Sequence, residues 1–227
     1  MRCKRGQASA VLQLALVWNA GSLAQSSPYS SPRPFAADIV IQEAGGGPGG
    51  TVAKLHAANH RTRIETAGAP DGFFISDTDA GTALFVRSAQ RLYMDARQST
   101  PLTQIFVWVN SRDPCRQWQA AAATAGVTNS GVWRCELIER ATFDPRKLLE
   151  YRVLTPDGRS SYGWIDASIG FPVKWQSGNG EVFALENIVF EAQPASLFSI
   201  PSDYRKLDPQ ALLERIKHSD VWAEPSK

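Results

Sequence analysis

The chain has 227 residues, of which 43% are hydrophobic and 20% are charged, a composition typical of a folded globular protein and unlike that of a disordered one. The formal net charge is +2, and three of the basic residues lie at the very start: Arg2, Lys4 and Arg5. No basic block follows in the rest of the sequence. Because a nucleic-acid-binding surface needs clustered Lys and Arg, we expect no nucleic-acid partner.

Residues 1–24 have the pattern of an export signal. A basic start precedes an apolar stretch over 8–20, and the small residues Ser22 and Ala24 predict cleavage after Ala24. A membrane anchor is the alternative, but a spanning helix needs about 20 mostly apolar residues. Three residues interrupt this stretch: Gln13, Asn19 and Gly21. We therefore expect a periplasmic or extracellular protein with no membrane span in the mature chain.

Residues 25–34 are rich in Ser and Pro and indicate a flexible leader. Over 35–207, short apolar segments separated by Gly and Pro turns predict one antiparallel β domain, because the sequence places few helices between them. The Gly-rich stretch 45–50 predicts a hairpin turn, since it lacks the Lys-Ser/Thr pair of a phosphate-binding loop. The strands predicted before residue 100 are Ala36–Gln42, Thr51–Leu55, Thr62–Thr66, Phe73–Ser76, Leu84–Arg87 and Arg91–Asp95.

The segment 113–126 is the clearest predicted helix. Asp113 can cap it, Pro114 suits its first turn and Gly126 ends it. After signal cleavage the remaining cysteines are Cys115 and Cys135, and an even pair in an exported protein predicts a disulfide. Closing a loop of about 20 residues would stabilise the fold by roughly 3 kcal/mol. Two unpaired buried thiols are the alternative.

Strands resume beyond this helix and continue almost to the C-terminus. The predicted strands are 132–138, 148–154, 161–165, 171–176 and 181–191. The last of them places Phe183, Leu185 and Val189 on one face and further apolar residues on the other. This pattern predicts either a sheet covered on both faces or a concave face lined for a ligand. A short amphipathic helix, Pro209–Lys217, is predicted in the C-terminal tail 208–227.

The polar residues form no recognisable catalytic or metal-binding set. His56 and His60 have the spacing of a helical metal pair, but they lie at a predicted hairpin end without an acidic partner, which indicates exposed loop residues. Asp77 and Asp79 are explained by turn chemistry. Asp166 lacks a second carboxylate at a defined position. We therefore expect no enzyme activity, no metal and no cofactor.

The apolar and aromatic residues of the predicted strands are the more informative group. Ordinary core packing explains most of them, and the alternative is that some line a concave apolar pocket. The candidate ligand-binding residues are Ile39, Ile41, Leu55, Ile64, Phe74, Phe85, Tyr93, Trp164, Trp175 and Phe183.

Several short motifs resemble uncharacterised secreted bacterial proteins of the lipoprotein-carrier (LolA/LolB-like) superfamily. They are Phe35–Ile39, Ala53–Leu55 after a Gly-Gly-Pro-Gly turn, Arg61–Glu65, Pro172–Lys174 and the Phe-x-x-Pro-x-x-Tyr close within 193–204. The resemblance spans most of the mature chain. It implies a mainly β (α+β) fold, a half-open antiparallel β-barrel closed by a few helices, whose concave face holds acyl chains. The Cys115–Cys135 segment with its Ala-rich helix departs from that pattern, and no functional residue is transferred.

Two functions follow from these observations. The first is an exported envelope protein that binds a lipid or lipoprotein acyl chain in a concave apolar cleft, since each buried methylene contributes about 0.8 kcal/mol without any catalytic group. The alternative is a non-catalytic structural or protein-interaction module of the cell envelope, with a filled core and an envelope protein as its partner.

Overall fold

The computed structural model describes residues 33–42, 50–67, 72–96, 100–127, 131–141 and 148–208. Several predicted features lie outside these ranges: the export signal 1–24, most of the leader 25–34, the greater part of the Gly-rich turn 45–50 and the helix Pro209–Lys217.

Twelve strands form one sheet in the described part of the chain, in the order β12-β6-β5-β4-β3-β2-β1-β11-β10-β9-β8-β7. Neighbours are antiparallel except for β6 and β12, which run parallel. The strands are β1 Phe35–Gln42, β2 Gly50–Ala58, β3 Arg61–Thr66, β4 Gly72–Asp77, β5 Thr82–Arg87, β6 Leu92–Asp95, β7 Arg134–Ala141, β8 Leu148–Leu154, β9 Ser160–Asp166, β10 Phe171–Gln176, β11 Val182–Val189 and β12 Arg205–Lys206. The mainly β, antiparallel prediction is confirmed. The sheet is open, with β12 and β7 at its two ends, and it is not a closed barrel.

Two helices follow β6: α1 (Leu102–Ile105) and α2 (Pro114–Thr124). Pro114 occupies the first turn of α2 as predicted, and Gly126 ends the helix with φ +82° and an N–H bond to Ala123 O. The side chain of Asp113 makes no capping hydrogen bond, so that part of the prediction is wrong. Neither helix is long and apolar enough to cross a membrane, and this holds for all the described residues.

The main core lies between the sheet and the segment 102–124, and we call this side of the sheet the helix face. Trp118 on α2 is its largest fully buried side chain, at 1% exposed. The indole of Trp118 donates from Nε1 to Ile105 O at 3.1 Å, which joins α2 to α1. Its ring meets the ring of Trp175 edge to face, with centroids 5.0 Å apart. This geometry anchors α2 across β9 and β10.

Gly163 makes room for Trp118. A Cβ atom at position 163 would lie 2.6 Å from Cη2 of Trp118, although the backbone there is ordinary strand. We therefore expect Gly163→Ala to destabilise the protein by about 1–3 kcal/mol through overpacking, as measured by denaturant unfolding. Gly50→Ala is the matched control, because nothing lies within 4 Å of its added methyl. Equal effects of the two variants would contradict the tight contact.

The opposite face of the sheet is partly covered by residues 193–208, which we call the C-terminal strap. Its Ile200 and Tyr204 pack on a small cluster formed by Phe73, Ile75 and Val86. Polar contacts fasten it further: Gln193 Oε1 lies 2.9 Å from His56 Nδ1, and Arg63 Nη1 donates to Leu197 O at 3.2 Å. The strap ends by pairing β12 with β6. Apolar residues therefore occur on both faces because both faces are covered at this end of the sheet.

A bulge interrupts β11 and changes the side on which its last residues point. Glu186 lies opposite Asp38, but Val189 lies opposite Ala36, and Asn187 between them has φ +51°. The extra residue shifts the alternation, so Val189 shares a face with Glu186. The prediction that Val189 lies beside Phe183 and Leu185 is therefore wrong.

Candidate functional site

Eight of the ten candidate ligand-binding residues lie along the helix face of the sheet. Six are buried and two, Ile41 and Phe85, are half-buried at the margin of the main core. Cross-strand register joins them: Phe85 lies opposite Phe74, and Phe74 opposite Ile64. Further along, Ile64 lies opposite Leu55. The eight are Ile39, Ile41, Leu55, Ile64, Phe74, Phe85, Trp175 and Phe183.

The same strip continues across the other half of the sheet. Ile41 lies opposite Phe183, and Phe183 lies opposite Trp175. One apolar face thus runs from β5 to β10, and directly opposed side chains of this kind are the unit of sheet stabilisation. In the described structure this face is packed against the segment 102–124, so it forms the core of the protein.

The other two candidates lie elsewhere. Tyr93 packs with Val86 in the cluster under the C-terminal strap. Trp164 is half-buried at the margin of the main core. It alternates with Gly163, which faces Trp118, so its side chain leaves the strand on the opposite side of the sheet. Lys174 lies across from it in register and places Nζ 4.6 Å from its ring centroid. The structure therefore does not bring these two residues into the helix-face strip.

Three cavities lined by the described residues are either small or open. A cavity under α2, next to β4 and β5, measures about 60 Å³. Two open depressions, of about 570 and 500 Å³, lie on the surface beside Glu186 and beside Lys54. Small-molecule pockets usually enclose about 300–1,000 Å³ of mainly apolar space. None of these three combines that size with enclosure.

The candidate polar residues serve turns and surface pairs. Asp77 accepts hydrogen bonds from the backbone N–H groups of Asp79 and Ala80 and from Arg61 Nε, at 2.8–3.0 Å. Partial burial acts to raise the pKa of Asp77, but these bonds outweigh it, and its pKa lies below the ordinary aspartate value. The prediction that turn chemistry explains Asp77 is supported by these contacts.

Asp166 and the two histidines also have local partners. Asp166 is buried, and its Oδ1 accepts from both the backbone N–H and the hydroxyl of Ser168. His60 Nδ1 lies 2.8 Å from Asp79 Oδ1, while His56 lies within β2 against the C-terminal strap, so only His60 belongs to a turn. Among the described residues, no three His, Cys, Asp or Glu side chains form a group that could hold a metal ion.

Cys115 and Cys135 lie at disulfide-bonding distance, with Cα atoms 5.6 Å apart. The predicted pairing is therefore confirmed. The bond joins the first turn of α2 to β7, and it is consistent with an oxidising compartment.

Comparisons with known proteins assign no family. No protein-family model matches the chain, and no curated protein sequence matches it significantly. An uncharacterized conserved protein from Thermus thermophilus is similar at 10% identity and TM-score 0.43, covering 78% of this chain and 90% of that one. PNGF-II is similar at 6% identity and TM-score 0.47 over 82% of this chain. MucB is similar at 12% identity and TM-score 0.36 over 76% of this chain. The chain spans 33% of PNGF-II and 58% of MucB. At TM-scores below 0.5, these likenesses carry no functional assignment.

Sequence patterns did not reveal the most exposed group of large apolar side chains among the described residues, which lies on and beside β7. Val132 is 77% exposed, Leu137 44% and Ile138 51%. Among the described strands, β7 is the last of the sheet and pairs only with β8. The adjacent Leu137-Ile138 pair was the available signal, because a half-buried strand alternates apolar and polar residues and this pair breaks the alternation.

Proposed function

We propose that the protein is a non-catalytic interaction module that binds an extended segment of another envelope protein along β7. The observation that carries this proposal is the exposure of Leu137 and Ile138 on a terminal strand and of Val132 just before it. A terminal strand presents unpaired backbone N–H and C=O groups on one side, and a second chain can add a strand there. The exposed apolar side chains would supply contacts beside those backbone hydrogen bonds.

The two ends of the sheet differ in a way that supports the proposal. At the other end, the C-terminal strap pairs β12 with β6, and Lys206 Nζ lies 2.9 Å from Asp95 Oδ1 across that pair. Proteins commonly protect their sheet edges by such coverage or by charged side chains. Within the described residues, no comparable segment pairs with the outer side of β7.

The register of β7 limits where a partner strand would pair. Its pairing with β8 is regular from Arg134 to Leu137 and shifts between Leu137 and Glu139. Because a bulge bends the strand and disrupts regular pairing, the proposed partner pairs with Arg134–Leu137. Glu136 within that stretch and Ile138 just after it are both exposed.

The experiment that tests this proposal compares two exposed positions. A photocrosslinker at Ile138 in the cellular envelope is expected to capture a partner, while one at Val189, which is 53% exposed on the internal strand β11, is expected not to. With the purified partner, Ile138→Lys should weaken binding at least about tenfold, equivalent to roughly 1.4 kcal/mol. Val189→Lys should leave binding unchanged.

Stability separates a binding defect from misfolding. Exposed substitutions usually change the free energy of unfolding by less than about 0.5 kcal/mol, so Ile138→Lys should unfold like the parent protein. Equal crosslinking at both positions, or undiminished binding by Ile138→Lys, would overturn the proposal. Crosslinking only to a second copy of this chain would replace it by self-association.

Acyl-chain binding on the helix face is the second proposal, favoured by the apolar strip from β5 to β10. In that case the sheet acts as a half-open barrel, and the acyl chain of the ligand enters where Ile41 and Phe85 are half-buried. Because the helix face is already packed, a long acyl chain would have to displace part of the segment 102–124. Export to the envelope is part of both proposals.

The acyl-chain proposal predicts a spectroscopic change in the core. Titration with a long-chain fatty acid should shift the emission of Trp118 and Trp175, whose rings are in contact beneath α2. A Trp118→Phe variant separates their contributions. An unchanged emission spectrum, together with no lipid retained by protein purified from the envelope, would exclude this second proposal.

A further inference from the structure

A small cavity beneath α2 has a polar wall. It lies between the helix and the adjoining ends of β4 and β5 and measures about 60 Å³. Ser76 and Thr103 contribute hydroxyls and Gln117 a side-chain amide, while Val107, Ala83 and Ala121 form apolar lining. Ser76 is 5% exposed, and Thr103 is also buried. The cavity thus places hydrogen-bonding groups at a helix–sheet contact that is otherwise apolar.

Two polar atoms of the lining residues have no hydrogen-bonding partner among the described residues. They are Ser76 Oγ and Gln117 Oε1, on β4 and α2 respectively. Buried polar atoms are normally paired, because removing them from water without a replacement bond is costly. The two lie on opposite elements of the same cavity, so one guest could bond to both.

The chemistry of the lining selects the guest. Gln117 Oε1 only accepts hydrogen bonds, and Ser76 Oγ both donates and accepts. Thr103 Oγ1 already donates to Thr100 O, which leaves it as an acceptor. A guest with O–H donors therefore suits the site. Asp77 is the single charged residue of the lining, and its carboxylate is paired with Arg61 Nε at 2.8 Å. The lining therefore offers no unpaired charge that would favour an ion over a neutral guest.

The volume limits the size of the guest. A cavity needs about 10–15 Å³ of this kind of space to hold one water molecule, so about 60 Å³ admits a few waters or a small alcohol. We propose that it is a binding site for a small neutral hydroxyl group that bridges Ser76 on β4 to Gln117 on α2. The hydroxyl comes from solvent water or from a small alcohol. This site is independent of both proposed functions.

Nuclear magnetic resonance on the full mature protein tests the site directly. If the bridging hydroxyl belongs to water, we expect long-lived nuclear Overhauser contacts from water to amide protons near Ser76 and Gln117. If the hydroxyl comes from a small alcohol, titration with ethylene glycol should give saturable chemical-shift changes confined to the same residues. Either result supports a hydroxyl site and identifies its source. The absence of both the water contacts and the chemical-shift changes would overturn the proposal. This measurement needs no substitution.

Substitutions give an independent readout. Ser76→Ala should remove the contacts or shifts and lower Tm by about 2–4 °C, the change expected for a modest loss of stability in a protein of this size. Thr62→Val is the matched control: Thr62 lies opposite Ser76, is 2% exposed and also has an unpaired Oγ1, but it does not line the cavity. Unchanged or raised stability of Ser76→Ala would indicate an unbridged hydroxyl and overturn the proposal.

Discussion

Trp118→Ala is expected to destabilise the protein by about 3–5 kcal/mol, the cost of truncating a large buried aromatic side chain. Trp118 is fully buried, bonds through Nε1 to Ile105 O and packs its ring against Trp175. Removing it would leave a cavity where α2 crosses β9 and β10. Denaturant unfolding followed by circular dichroism measures the loss, because that signal does not depend on the deleted indole.

Two further variants show how much of the lost unfolding free energy comes from the packing and hydrogen bond of Trp118. Trp118→Phe keeps part of the packing and loses the bond to Ile105, so it should cost less than the alanine variant. Trp164→Ala truncates a half-buried tryptophan on the other face and should cost less still. A loss of under about 1 kcal/mol for Trp118→Ala would contradict the close packing of α2, since buried truncations of this size normally cost several times more. It would also strengthen the acyl-chain proposal, which requires the segment 102–124 to move.

The alternation of apolar and polar residues was enough to predict strands β1 to β11. Within Leu148–Leu154, apolar residues at 149, 151 and 153 alternate with Glu150 and Arg152. Several of the turns between strands contain Gly or Pro with a specific backbone role. Gly158, for example, has φ +81° and donates its N–H to Thr155 O. These signals are local, so they can be read without knowing the fold.

Features that depend on distant contacts were not predicted. α1 is four residues long, too short for a helical repeat to be visible, and β12 consists of two residues fixed by their pairing with β6. The fit of Trp118 against Gly163 joins residues 45 positions apart in the sequence. Such contacts arise from tertiary packing, which single-sequence patterns do not encode.

The candidate site shows the same division. Alternation identified apolar strand residues but could not say which face each one occupies relative to α2. Trp164 and Tyr93 therefore entered the same group as Phe74, although they lie on the other side of the sheet. The Leu137-Ile138 pair marks a break in the alternation, but the exposure of Ile138 follows from the position of β7 at the end of the strand order, which the sequence does not show.

Removal of the disulfide is the second large effect. Replacing both Cys115 and Cys135 with Ser should destabilise the protein by about 3 kcal/mol in the chain-entropy model, given their separation of 20 residues. Denaturant unfolding measures the difference. Reductant should lower the stability of the parent protein by a similar amount and leave the double variant unchanged. A reductant effect on the double variant would show that another process is being measured.

The same variant also bears on the proposed interaction. The disulfide joins β7, which pairs with one strand in the described part of the chain, to the first turn of α2. Trp118 of the same helix is fixed in the core. Loss of the disulfide should increase the motion of β7, so a partner that pairs along Arg134–Leu137 would have to order the strand on binding. We therefore expect the double variant to bind the partner more weakly than the parent protein at a temperature where both are folded. Equal affinity would mean that β8 alone holds β7 in its binding conformation.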